Sequence, residues 1–162
     1  MSEKSFWQFS LAAYSVVGVD RLLLRLQDEF GADINMLLFC YWLGLDRKTP
    51  TPEYWLELQS LTDQWRKESI LPLRALRRFL KQQPGVTDFR RNIQAMEVEA
   101  ERLQQKMMED FSASNGITAY DGDPVDASWH NLQTYFASLQ TIDWVLVIDV
   151  NKELHQLMSL PR

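Results

Sequence analysis

The sequence predicts an all-α protein: a single-domain bundle of about six to seven helices over residues 1–162, one of them kinked near Pro72. Three observations carry that expectation. Apolar residues recur at three- and four-residue spacing from end to end, between recognisable start and stop signals. Only six Gly and six Pro in 162 residues leave little room for the many tight turns of an all-β fold. An apolar fraction of 46% supplies one domain's core and excludes a mainly disordered chain.

Each element has its own signals. Ser5 caps a first helix carrying Phe6, Phe9, Ala13 and Val16 or Val17, stopped near Gly18. Asp20 opens a second, with Leu22, Leu23, Leu26 and Phe30 on one face and Gly31 as its C-terminal stop. Asp33 caps a third that is apolar on every side from Ile34 to Leu45, the pattern of a helix buried all round. Arg47 to Pro52 reads as a linker. Thr51 then caps, and Pro52 takes the first turn of a helix bearing Tyr54, Trp55, Leu58, Leu61 and Trp65.

Pro72 interrupts that helix, because its ring clashes with the carbonyl four residues back, so a kink or short break is expected near Leu71. Pro84-Gly85 turns the chain into a long helix, Thr87 to Phe111, whose apolar stripe is Phe89, Ile93, Met96, Ala100, Leu103 and Met107. Residues 112–126 are rich in turn formers and read as a mobile loop. Asp126 or Ser128 caps the next helix, with Trp129, Leu132, Tyr135, Phe136 and Leu139. Thr141 begins the last element. Its segment 144–150 is β-branched enough for a strand, but no second strand is evident to pair with it, so helix is expected.

Several segments, FWQFSLAAY, GVDRLLLRLQDEFGADINMLLFCYWLG, TDQWRKESILPLRALRRFLK and EVEAERLQQ, together resemble a small proteobacterial family of all-helical proteins of this length, catalogued only as a domain of unknown function. The GADINMLLFCYW and PLRALRR stretches are the most distinctive. The resemblance implies a helical cytosolic protein. It brings no activity and no catalytic residues with it.

The rest of the chain narrows the function classes. The longest apolar run, Met36 to Leu45, is about half of the ~20 residues a bilayer span needs. The N-terminus is broken by Glu3, Ser5, Gln8 and Ser10, a poor secretory signal, and one cysteine, Cys40, permits no intrachain disulfide. Cytoplasmic placement is therefore expected. Metal and cofactor sites are not expected. Asp121, Asp123 and Asp126 lack the Gly and Glu of a calcium loop, with Asp126 and Leu132 in those places. Glu153 and His155 are spaced two apart rather than the three a di-iron bundle uses. Neither His130 nor His155 has a nucleophile at a recognisable spacing, so enzyme is the minority reading.

Charge is the strongest functional signal. The net charge is −5, but residues 66–91 hold eight basic and two acidic groups, between segments of −4 and −7. Arg74, Arg78 and Lys81 share one helix face, with Arg77 beside them. One reading is a surface for an anionic protein partner or a small phosphate-bearing ligand, with nucleic acid disfavoured by the acidic remainder. The competing reading is internal neutralisation: a hairpin about Pro84-Gly85 sets Arg74 near Glu97, and Lys67 near Glu101 or Leu103. A second class is a small-molecule or lipid-binding protein, with a pocket near Asn35, Trp42, Trp65 and Arg66. Asn35 suggests it, as an amide inside an apolar helix. A third is a homo-oligomer joined through a spare apolar stripe.

Overall fold

The computed structural model describes residues 4–139 and 143–158. Its fold is all-α, with eight α-helices and one two-stranded sheet among the described residues. The chain divides into two compact units: Glu57–Ser112, and Met1–Leu56 together with Ala113–Arg162.

The larger unit is built around α3 (Ile34–Leu45), whose residues from Asn35 to Gly44 are all buried. Asp33 caps it by accepting from the Asn35 amide at 2.8 Å. The helix α1 (Phe6–Tyr14) starts with a reciprocal box in which Ser5 Oγ takes the Gln8 amide and the Gln8 side chain takes the Ser5 amide. The next helix, α2 (Val19–Phe30), lies between two left-handed glycines, Gly18 and Gly31. Asp20 sits in its first turn rather than at its cap. Rings from α1, α3 and the start of α4 (Pro52–Trp65) meet in the core, with Phe39 contacting Phe6 at 5.1 Å and Trp55 at 6.3 Å.

Arg47 to Pro52 is not simply a linker. Lys48–Pro50 forms β1, paired antiparallel with β2 (Ile117–Ala119), so that Thr49 lies opposite Thr118. The segment 112–126 therefore contains a strand. It also contains the start of α7 (Pro124–Phe136), which is capped by Asp123 rather than Asp126 or Ser128. Asn131 of α7 ties the sheet to α3 by donating from Nδ2 to the carbonyls of Cys40 and Lys48. Thr141 lies outside the described residues. Residues 144–150 are helical, within α8 (Trp144–Met158), which Asp143 starts by accepting from the amides of Val145 and Leu146. Tyr41 donates to Asn151 Oδ1 at 2.5 Å, joining α3 to α8. No helix among the described residues is long and apolar enough to cross a membrane.

The smaller unit holds the end of α4, a π-helical turn Arg66–Ile70, α5 (Leu71–Leu80) and α6 (Thr87–Phe111). The expected break at Pro72 takes the form of that π turn. The Leu71 amide reaches back five residues to the Arg66 carbonyl, and the widened turn lets the rod continue past a residue with no N–H. The apolar stripe expected on α6 is only partly the buried one. Its fully buried positions are Glu97, Ala100, Gln104, Gln105 and Met108, while Phe89, Met96 and Leu103 are exposed.

Candidate functional site

The basic segment runs from the π turn through α5 into the start of α6, and α6 packs along α5 after the turn at Pro84-Gly85. Leu80 is the fully buried residue of α5, and Arg74 and Arg77 lie on the α6 side. Arg74 Nε donates to Glu97 Oε1 at 2.9 Å and Arg74 Nη2 to Glu101 Oε1 at 2.9 Å. Arg77 Nε donates to Glu97 Oε2. One carboxylate thus bridges two guanidinium groups, with its side chain only 7% exposed.

Electrostatics make this cluster self-contained. Burial pushes the Glu97 carboxyl up, but the hydrogen bonds and charges of Arg77 and Arg74 outweigh it and hold the group below the ordinary carboxylate value. Burial pulls Arg74 down, and Glu97 and Glu101 more than restore it. For Arg77 the bond to Glu97 dominates and raises it. Two of the four cations read from the sequence are thereby neutralised within the fold, in the register expected for Arg74. Lys67 behaves differently from expectation: it pairs with Asp63, one turn back on its own rod, at 3.8 Å.

The other two cations remain outside that cluster. Arg78 and Lys81 are exposed and make no ion pair among the described residues. Between them stands Phe79, 62% exposed, which the sequence reading did not single out. Its signal was present, since consecutive helical residues point about 100° apart, so Phe79 cannot share the direction of Leu80. Beyond the turn, Arg91 pairs with Asp88 at 3.1 Å on a strongly exposed surface, and Arg90 Nε is buried with no hydrogen-bond partner.

The pocket candidates fall in different units. In the larger one, Asn35 is buried at the start of α3, and Trp42 stacks on Phe39 while its indole N–H donates to the Lys4 carbonyl at 3.2 Å. In the smaller one, Trp65 Nε1 donates to the Ala100 carbonyl at 2.9 Å, and Arg66 is half-buried at the π turn. Neither indole N–H is directed to Asn35. Cys40 is buried, and burial pushes its thiol well up, away from nucleophilic use. Among the described residues no group of three or more His, Cys, Asp or Glu is placed to hold a metal ion.

No curated protein and no solved structure matches the chain. A family model does, over residues 5–108, more than half of the chain and all of the α5–α6 hairpin except the last turn of α6. The chain belongs to the family described as Protein of unknown function (DUF2390).

Proposed function

We propose that this is a non-catalytic cytoplasmic interaction protein of bacterial origin, an adaptor that offers the outer face of α5 to an anionic protein partner. The observation that supports this reading is a division of labour among four cations. Arg74 and Arg77 hold α6 in place through Glu97, whereas Arg78 and Lys81 stay exposed on either side of an exposed phenylalanine. Cations beside a solvated aromatic ring combine long-range attraction for acidic surface with a contact that excludes water. Solvent-exposed charge of this kind acts mainly on association rate and specificity.

The test is affinity capture from lysate of the source organism, comparing wild type with Arg78→Glu/Lys81→Glu. Circular dichroism establishes that the double variant is folded. Recovery of the partner is expected to fall by at least about fivefold in the double variant, and more steeply at low salt. Equal recovery by a folded double variant overturns the proposal. Arg74 is left intact, since altering it would break the hairpin rather than its surface.

A further inference from the structure

The rod formed by the end of α4, the π turn and α5 is covered by α6 on one side. There Trp65 donates to the Ala100 carbonyl, and Arg74 and Arg77 reach Glu97. The opposite side is exposed at positions 57, 60, 64, 68, 71, 75 and 78. Their steps of three and four average about 3.5 residues, the repeat at which two helices keep one seam in contact along their length.

Charge on this side is free and divided by sign. Glu57 and Glu68, in the first half, are exposed and make no ion pair among the described residues, and the same holds for Arg78 and Lys81 in the second. Lys67 and Asp63 pair with each other and cancel. From Ser69 to Thr87 the chain holds no acid at all. A second rod laid antiparallel sets acidic half against basic half at both ends, whereas a parallel one sets Glu57 on Glu57 and Arg78 on Arg78. The register is self-complementary as well. About an axis between Lys67 and Glu68, Arg78 meets the partner subunit's Glu57, Ala75 meets the partner subunit's Ser60, and Leu71 meets the partner subunit's Gln64. Every such contact occurs twice, as a two-fold interface requires. At the axis Glu68 faces the partner subunit's Lys67, whose ammonium has three N–H groups and can serve that carboxylate beside its own Asp63.

We propose that the anionic protein taken by the outer face of α5 is a second copy of this chain, whose rod pairs antiparallel with this one through Arg78 and the partner subunit's Glu57. The proposal rests on the reading that this face takes an anionic protein, and it gives that protein an identity. Small residues face each other at Ala75 and the partner subunit's Ser60, which lets the two helices approach closely. Leu71, 37% exposed, supplies apolar contact nearer the axis.

The experiment uses the full chain. Light scattering after size exclusion, from about 1 to about 200 μM, is expected to show the mass rising from 19.0 kDa toward twice that value. Arg78→Glu is expected to raise the dimer dissociation constant at least about tenfold. Glu57→Arg/Arg78→Glu, which exchanges the two charges, is expected to restore it. A short thiol cross-linker fixes the geometry: it is expected to join Ser60→Cys to Ala75→Cys when the two are mixed, with buried Cys40 silent. Neither variant is expected to join to itself, because like positions then lie ~22 Å apart along the pair. A monomer across the whole range overturns the proposal. So does an exchange variant that stays as weak as Arg78→Glu, or a Ser60→Cys chain that cross-links to itself, which means parallel pairing. A monomeric chain whose capture of another protein from lysate still depends on Arg78 and Lys81 overturns the dimer and leaves the surface reading standing. Loss of both overturns both.

Discussion

Glu97 of α6 accepts from Arg74 and from Arg77 of α5, so a single buried carboxylate holds two arginines from the facing helix. Removing one member of such a cluster leaves charge buried without a partner, whereas replacing all members with apolar groups does not. Glu97→Ala is expected to destabilise the protein by about 3 kcal/mol, the low end for a broken buried pair, because Glu101 remains for Arg74. The triple variant Arg74→Leu/Arg77→Met/Glu97→Leu is expected to lie within about 1 kcal/mol of wild type. Denaturant unfolding of both variants measures the contrast, and equal losses would show that the cluster is not acting as one unit.

A second close contact lies between α3 and α7. A Cβ added at Gly44 would stand 2.0 Å from Ser128 Oγ and 2.6 Å from its backbone Cα and N. The hydroxyl alone could rotate, but the backbone cannot, so α7 would have to move away from the helix around which the larger unit is built. Gly44→Ala should therefore cost about 3 kcal/mol despite alanine's better helix propensity, which would contribute about 1 kcal/mol the other way. A variant that melts at the wild-type temperature would refute this reading of the interface.

How much of this was legible in the sequence depends on whether the cause was local. The caps at Ser5, Asp33 and Thr51 and the glycine stop at Gly31 each involve residues within one turn, and a one-dimensional reading finds them. The Arg74–Glu97 register was also legible, because Pro84-Gly85 fixes where a hairpin turns and spacing does the rest. The β1–β2 pairing was not. Lys48–Pro50 and Ile117–Ala119 are short, lack alternation and meet across 69 positions. The α7 start was misplaced because Asp123, Asp126 and Ser128 are all competent caps, and Pro124, suited to a first helical position, was the signal that favoured Asp123. The α6 face was misread for a more basic reason. Apolar spacing marks a core only when polar groups stay outside, and here Glu97 and Gln104 are held inside by Arg74, Arg77 and the Thr62 carbonyl.

Cys40 offers a probe of opening that requires no mutation. It is fully buried on α3, and burial raises its thiol well above the ordinary value, so the reactive thiolate is suppressed twice over. Modification by a water-soluble thiol reagent is expected to follow unfolding of the larger unit rather than reagent concentration. Labelling in native buffer at the rate of a free thiol would show that α3 is accessible without unfolding.

His155 on α8 sets the acid limit of the larger unit. Its ring contacts Tyr41 at 5.0 Å between centroids, and both ring nitrogens are buried without hydrogen-bond partners. Burial lowers its pKa from 6.5 to about 4, against an opposing pull from Asp123. The sign follows directly. Between those values the unfolded chain binds a proton that the folded chain excludes, so stability is constant above pH 6.5 and declines as the pH falls toward 4. Allowing for the ring's partial exposure, the loss attributable to this group is about 2 kcal/mol. His155→Phe preserves the edge contact with Tyr41 and removes the titrating nitrogens. Its unfolding free energy should therefore be flatter than wild type across this window, while the Glu97 contribution, lost only below the ordinary carboxylate range, persists in both proteins. Parallel pH profiles for the two proteins would mean that His155 is solvated in the folded state.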